Sequence, residues 1–213
     1  MKIDRRLNLV VPIYADDGKT VVAWVHSTPL SAEIIDRDFL LLGQTFNSIF
    51  SDGLGAAAGP GHAMRLLRAI SERQGTWENE DKTPGRGKLL VEEIRRRTNV
   101  AVPATPGGWE TVPLDVAVQR GQLSGEDKSE VENVIAFFMC VSATLSRTER
   151  GAMLSSFAAL WDAQLSSSTC TEWAASLKTS TQGAPSGARS PATAGQPVGA
   201  DARADGKPAS VPR

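Results

Sequence analysis

The chain has 213 residues, of which 41% are hydrophobic, and this suffices for one packed domain or for one domain with a tail. Its 23 basic and 24 acidic residues give a net charge of −1, which excludes a bulk positive field that would draw the chain to nucleic acid or to an anionic membrane. No apolar run approaches the roughly 18 residues that a membrane-spanning helix needs, so we expect a soluble protein that works inside a cell.

The first predicted elements are a β-hairpin and a long helix. Residues 7–13 and 21–25 have β-favouring patterns on either side of an Asp-Asp-Gly turn, and Pro12 indicates that the first strand has an unpaired edge. Ser31 can cap the helix that follows. Because residues 39–42 are apolar all round, we expect this helix to be buried on more than one side. Its main apolar stripe is Ile35, Phe39, Leu42, Phe46 and Ile49.

The middle of the chain is predicted to form short elements joined by polar loops. A helix should begin at Pro60 and end before Gly75, which suits the left-handed position after a helix. Residues 109–112 form a short predicted strand with two candidate partners, the extended residues 99–102 and the N-terminal hairpin. Further helices are predicted over residues 89–97 and 113–119, and a surface loop over residues 76–87, with a flexible stretch at 85–88.

Residues 124–165 have the strongest pattern in the chain and are predicted to form a helical hairpin, the core of the fold. Ser124 can cap the first helix, and residues 146–149 spell a capping box for the second. Two amphipathic helices joined by so short a turn should pack antiparallel. A further capping box at residues 169–172 starts a short last helix. The stripes are Val131, Val134, Phe138, Val141 and Leu145, then Met153, Leu154, Phe157, Leu160, Trp161 and Leu165.

Together these elements predict a mostly α fold with a small N-terminal β-hairpin, an α+β domain that covers residues 1–178. Residues 179–213 differ in composition, since they lack aromatic residues and are rich in Gly, Pro, Ala and Ser. Such a segment cannot bury enough apolar surface to offset its chain entropy. We therefore predict a compact helical domain followed by a disordered C-terminal tail.

Few residues have the spacing of a catalytic or ligand site. The glycines of residues 53–59 resemble a dinucleotide-binding loop, but a helix precedes them where a strand is needed, so a helix-to-helix turn is predicted. Neither His26 nor His62 lies in a metal-binding sequence motif. Cys140 and Cys170 have no nearby cysteine and are predicted to be reduced thiols. The sequence therefore predicts no enzyme activity, no cofactor and no metal.

A run of three arginines, Arg95 to Arg97, could contact phosphate or an acidic partner. Glu92 and Glu93 lie one turn earlier, however, and allow ion pairs along the helix. Cations also suit the C-terminus of a helix. We favour the structural interpretation of this run.

Trp161, Trp173 and Leu177 lie near the end of the predicted domain. Aromatic residues in short terminal helices either cap the core or anchor a partner. These three residues are the candidate partner-binding site of the chain.

Five stretches of the sequence are informative when they are taken together in their order along the chain. They are residues 13–50, which include HSTPLS at 26–31, then EIRRRTNV at 93–100, GWETVPL at 108–114, EVEN at 130–133 and CTEWAASL at 170–177. In this order they resemble a family of tail assembly chaperones from long-tailed bacteriophages. The resemblance covers nearly all of residues 7–181 and stops at the tail, and none of the stretches is a catalytic signature.

The resemblance implies a non-enzymatic protein of the host bacterial cytoplasm that acts in virion morphogenesis. Similar in role to the lambda-type tail chaperone, it would bind the tape measure protein, help recruit tail tube subunits and be absent from the mature virion. Self-association is a further expectation. In many phages a programmed frameshift yields a longer product, and a tail that begins at Thr179 fits the place where two forms would diverge.

A tape measure protein is a long helix with exposed apolar faces before assembly, which a helical binder could hold helix-in-groove. We expect that groove to be lined by Ile34, Leu41 and Phe137, with Trp161 and Trp173 at its rim. The alternative functions are a structural minor tail or head-tail connector protein, a cofactor-binding enzyme that uses the glycine-rich loop, and a nucleic-acid regulator that uses the three arginines.

Overall fold

A computed structural model of the chain describes residues 7–51, 58–105 and 107–177. Within these ranges the chain forms five β-strands and seven α-helices. The strands are β1 (Asn8–Tyr14), β2 (Val21–Ser27), β3 (Thr98–Pro103), β4 (Trp109–Pro113) and β5 (Gln164–Ser166). The helices are α1 (Ala32–Ser51), α2 (Ala63–Arg73), α3 (Arg86–Arg96), α4 (Leu114–Gln119), α5 (Gly125–Thr144), α6 (Arg147–Ala158) and α7 (Cys170–Ser176). The predicted fold class is confirmed.

The strands form one antiparallel sheet in the order β4-β3-β2-β1-β5. β1 and β2 are the predicted hairpin, and Asp17 holds their turn by accepting the backbone N–H groups of Lys19 and Thr20 at 2.8 Å. Of its two candidate partners, β4 pairs with β3, so that Val112 lies opposite Val100. The hairpin is the centre of a larger sheet than expected, because other strands extend it on both sides.

The outer side of β1 is only partly paired. β5 pairs with the stretch from Asn8 to Val10, and the chain turns away at Asp162, which has the left-handed conformation with φ of 50°. Among the described strands, none pairs with this side of β1 beyond Val10. Pro12 therefore lies where no N–H is needed for a ladder, and the unpaired edge predicted from it is present over that part of the strand.

The core lies between one face of the sheet and the helices. Helix α5 occupies the middle of the helical layer and contacts α1, α2, α3 and α6. Every residue from Val131 to Ser142 is buried, so burial extends round the whole helix and not only along the predicted stripe. The predicted α5–α6 hairpin is present, since Phe137 and Phe157 meet edge to face with ring centroids 4.6 Å apart. The strand residues in the core are Leu9, Val11, Ile13, Ala23, Val25, Val100, Val102 and Val112.

Helix α7 covers the other face of the sheet. Trp24 and His26 alternate with Ala23 and Val25, which belong to the core, so they point away from it. Trp173 of α7 packs edge to face on Trp24, with ring centroids 5.7 Å apart. The last described helix is thus separated from the helical layer by the sheet.

Three helices begin with a capping box, two of them where a capping box is predicted and one at Ser124, where an N-cap is predicted. In each, the hydroxyl of the cap residue accepts a backbone N–H three residues later, and the carboxylate of that later residue accepts the cap's own N–H. The pairs are Ser124 with Asp127, Ser146 with Glu149, and Thr169 with Glu172.

The expected burial of α1 on more than one side is wrong. Leu40 is 74% exposed and Phe39 is 50% exposed, because α1 is an outer helix that packs on α2 and α5 along one side. Leu41, Leu42 and Ile49 form the buried side.

The prediction of one helix that extends to Leu165 is also wrong. Helix α6 ends at Ala158, a short 3₁₀ turn follows over Ala159–Trp161, and Leu165 lies in β5. The segment that reads as a last helical turn pairs with β1 because the open edge of that strand offers backbone hydrogen bonds.

Residues 85–88, predicted to be flexible, form the start of α3, and backbone hydrogen bonds tie them to the preceding loop. The N–H groups of Gly85 and Gly87 donate to the carbonyl groups of Trp77 and Thr76 at 2.9 and 2.8 Å. The glycine-rich residues 52–57 and the predicted tail lie outside the described residues, so the predicted domain boundary stays a prediction. In the described ranges, no helix is both long and apolar enough to cross a bilayer.

Candidate partner-binding surfaces

An apolar groove runs along the outer side of α1, between that helix and the turn after α5. We name it the α1 groove. It encloses about 350 Å³, and its lining residues are Phe39, Leu40, Gly43, Gln44, Phe46, Asn47, Thr144 and Leu145. None of these side chains is ionisable, so the groove offers apolar contact and neutral hydrogen bonds, and no charge.

The groove follows from a second apolar stripe on α1. Phe39, Gly43, Phe46 and Phe50 recur at steps of four, three and four residues, which places them along one side of the helix. Gly43 has no side chain, and this keeps the floor of the groove low. A Cβ built there would have a single neighbour within 4 Å, Thr144 Cγ2 at 3.9 Å. The backbone of a partner helix can therefore approach α1 closely at this point.

Aromatic contacts connect the groove with Trp161. The ring centroids of Phe46 and Phe50 are 5.1 Å apart, those of Phe50 and Phe137 6.5 Å, and those of Phe137 and Trp161 5.9 Å. Trp161 also stacks on Phe157 at 5.8 Å. It is half-buried, so it caps the core between α5 and α6 and presents only part of its ring to a partner.

Trp173 and Leu177 lie on the opposite face of the sheet from Trp161. Trp173 is half-buried against Trp24, and its indole N–H is buried with no hydrogen-bond partner among the described residues. Leu177 ends α7, where its N–H donates to the Trp173 carbonyl at 3.2 Å. The prediction that Trp161 and Trp173 share one rim is wrong, while a partner-binding role for each of the three residues stays a prediction.

Two of the residues predicted to line the groove are core residues. Leu41 and Phe137 are buried, and Ile34 is half-buried against the core. The sequence reasoning missed Phe39 and Leu40. The run of four apolar residues at 39–42 could have indicated an exposed apolar surface, because a helix that packs on one side cannot bury all four.

The three consecutive arginines are all engaged in ion pairs. Arg95 on α3 reaches Glu132 on α5 at 2.7 Å, whereas Arg96 and Arg97 pair with Glu93 at 2.8 and 3.0 Å. This arrangement favours the structural interpretation, in which Arg95 joins α3 to α5 and the other two stabilise the end of α3.

The reactive side chains are dispersed. His26 is buried and its Nε2 lies 2.9 Å from the carbonyl oxygen of Ser168. Cys140 and Cys170 are both free and buried, and complete burial raises the pKa of the Cys140 thiol to about 12. In the part of the chain that the structure describes, no group of three or more His, Cys, Asp or Glu residues is arranged to hold a metal ion.

Comparisons of the chain with protein-family models, with curated proteins and with solved structures give no match.

Proposed function

We propose that the protein is a non-enzymatic tail assembly chaperone of a long-tailed bacteriophage. In this proposal it binds the tape measure protein, helps recruit tail tube subunits in the host bacterial cytoplasm, and is absent from the mature virion. Its support is the family resemblance of the sequence together with one observation: Phe39 and Leu40 are exposed beside Gly43 in a groove that no ionisable side chain lines.

The groove suits an amphipathic helix as its occupant. A helix that places apolar residues three or four positions apart can insert them between Phe39, Leu40 and Leu145, with its backbone close to Gly43. Because no charge lines the groove, charge pairing does not fix the register of the partner. A long helix with repeated apolar positions is therefore recognised at many places along its length.

The expected affinity at one groove is low, which fits a temporary coat. Complete burial of an exposed leucine or phenylalanine stabilises by about 1.5–3 kcal/mol, and Leu40 and Phe39 still expose 74% and 50% of their surface. Together they contribute about 2–4 kcal/mol to association. Many copies on one tape measure protein can hold it in solution, and each copy can leave when tube subunits replace it.

A charge placed in the groove tests the proposal. Leu40→Asp should reduce the amount of soluble tape measure protein of the same phage when the two proteins are co-expressed, because the carboxylate must be desolvated on binding. Leu89→Asp is the matched control, since Leu89 is an exposed leucine on α3 outside the groove. Both variants should keep the circular dichroism spectrum and melting temperature of the parent. Equal solubility of the partner with both variants would refute the groove as its site.

Mass spectrometry of purified virions separates the proposal from its main rival. A chaperone should be missing from complete particles and present in the lysate that assembles them. Recovery of the chain in stoichiometric amounts from purified virions would favour a minor tail or head-tail connector protein.

A further inference from the structure

A second cavity lies between α2, α3 and the N-terminal half of α5, and we name it the α2–α3 cleft. It encloses about 350 Å³, and its lining residues are Met64, Arg65, Arg68, Trp77, Lys88, Val91, Glu92, Arg95, Ser129, Glu132 and Asn133. It shares no lining residue with the α1 groove. The two surfaces also differ in chemistry, because charged side chains dominate the cleft.

Cationic side chains line both walls of the cleft. Arg65 and Arg68 are three residues apart on α2, and Lys88 and Arg95 are seven apart on α3, spacings that keep each pair on one side of its helix. Four cations against the carboxylates Glu92 and Glu132 leave the lining with an excess of two positive charges, whereas the whole chain has a net charge of −1. Like charges that face each other across a cleft raise its potential and attract an anion.

Two of the four cations are already engaged. Arg95 donates to both oxygens of Glu132, at 2.7 and 3.3 Å. Arg68 pairs with Glu72 at 2.7 Å, and its guanidinium lies over the Trp77 ring at 5.0 Å from the centroid. Arg65 and Lys88 have no carboxylate within ion-pair distance among the described residues. These two side chains, one on each wall, are the ones available to an anionic ligand.

The floor of the cleft is formed by apolar side chains and by the Asn133 amide, whose hydrogen bonds are already made within the fold. Met64 and Val91 are buried. Asn133 uses its side-chain oxygen to accept the Met64 N–H at 3.1 Å and its side-chain nitrogen to donate to the Ser129 carbonyl at 2.7 Å. A ligand that enters should therefore place apolar atoms on the floor and its negative charge at the rim. A glutamate side chain, which has an aliphatic stem and a terminal carboxylate, meets both requirements.

We propose that the α2–α3 cleft binds an acidic, partly apolar segment of a partner protein, whose carboxylates pair with Arg65 and Lys88. A nucleic acid fits less well, because stacking of a base would require a free indole face. The Arg68 guanidinium covers one face of Trp77, and Trp77 also packs against the core. This site goes beyond the proposed chaperone function and is independent of the α1 groove.

Titration with synthetic probes tests the site. The probe is a helical peptide of glutamate and leucine, its glutamine counterpart is the uncharged control, and inorganic phosphate and oligothymidylate are separate arms. Binding is followed by tryptophan fluorescence and located by amide chemical shifts in the full chain. The acidic peptide should shift residues around Arg65, Trp77 and Lys88, and added salt should weaken its binding.

Paired charge reversals supply the matched comparison. Arg65→Glu with Lys88→Glu should weaken binding of the acidic peptide by about tenfold or more. Lys19→Glu with Arg73→Glu changes the net charge equally outside the cleft and should have little effect. Arg65→Gln with Lys88→Gln provides a milder second pair if the reversal impairs folding, and its effect should be intermediate.

Several results would overturn the site. They are equal loss of affinity in both reversal pairs, equal binding of the glutamine peptide, tighter binding of oligothymidylate or phosphate than of the acidic peptide, and shifts confined to other surfaces. Leu40→Asp should leave binding of the acidic peptide unchanged, so failure here is distinguishable from failure of the chaperone proposal.

Discussion

Two glycines at the start of α3 have no room for a side chain. A Cβ on Gly87 would lie 1.7 Å from Ser71 Oγ, and one on Gly85 would lie 2.4 Å from the Thr76 carbonyl oxygen. Both approaches are far closer than a van der Waals contact permits. The two glycines therefore let the start of α3 pack against the end of α2 and the loop that follows it.

Gly87→Ala should lower the free energy of unfolding by about 1–3 kcal/mol, because the new methyl group overpacks a filled site. Gly151→Ala is the matched substitution, since Gly151 lies within α6 and a Cβ there would meet nothing within 4 Å. It should raise the free energy of unfolding by about 0.5–1 kcal/mol through higher helix propensity. Urea denaturation measures both, and shifts of the same sign would contradict the packing argument.

His26 makes the stability of the fold sensitive to pH. It is 1% exposed, and its Nε2 must donate to Ser168, since a carbonyl oxygen can only accept. Its Nδ1 is buried with no partner among the described residues. Burial lowers the pKa of His26, although its hydrogen bond to Ser168 acts in the opposite direction. Protonation would place an unpaired charge beside the sheet.

Stability should therefore fall as the pH drops below the unfolded-state histidine pKa of about 6.5. The unfolded chain takes up a proton there that folded His26 refuses, which costs up to about 1.4 kcal/mol per pH unit until the folded pKa is reached. His26→Gln keeps a donor for Ser168 and cannot titrate. Urea denaturation between about pH 7.5 and 5.5 should show the parent losing stability relative to this variant, and parallel profiles would exclude His26 as the cause.

At the scale of elements, α7 differs from the other described helices in its surroundings. It has seven residues and lies on the second face of the sheet, away from the helical layer. Four side chains on this face or on α7 keep a buried polar atom without a hydrogen-bond partner among the described residues, namely Asn8, His26, Trp109 and Trp173. A short helix on an incompletely satisfied surface should open before the core does.

Chemical modification of the two cysteines distinguishes opening of α7 from unfolding of the whole domain. Cys170 is the first residue of α7, and Cys140 lies in the buried stretch of α5. Burial raises the pKa of both thiols, so alkylation requires each to be exposed first. We expect native-state alkylation, read by peptide mass spectrometry, to modify Cys170 faster than the whole domain unfolds and Cys140 only when it unfolds.

A cap deletion sharpens this prediction. Thr169→Ala removes the N-cap of α7, worth about 1 kcal/mol, and should speed modification of Cys170 about fivefold while the rate at Cys140 stays unchanged. Equal rates at the two cysteines would mean that α7 opens only together with the whole domain.

At the scale of the whole molecule, the helical layer carries two surfaces of different chemistry. The α1 groove is apolar and uncharged, and the α2–α3 cleft has cations on both walls over an apolar floor. Both are bounded in part by α5, which fills the core between them. The two cavities share no lining residue, so the apolar helix and the acidic segment proposed above would occupy different surfaces and neither would block the other.

The features that the sequence determined by itself depend on residues close together in the chain. The hairpin turn at Asp17, the three capping boxes and the apolar stripes of the helices each involve neighbours within about four positions. Their physical causes are local backbone hydrogen bonds and the period of the helix, and both can be read from the printed order of residues.

Only the tertiary structure decided which apolar and charged residues meet. Asp38 is buried because Arg86, 48 residues later, supplies its counter-charge at 2.6 Å together with Arg37. The same long-range packing exposes Phe39 and Leu40 and turns residues 164–166 into a strand on the open edge of β1. Burial is shared among all elements of the fold, so the period of one helix cannot show which of its sides the other helices will cover.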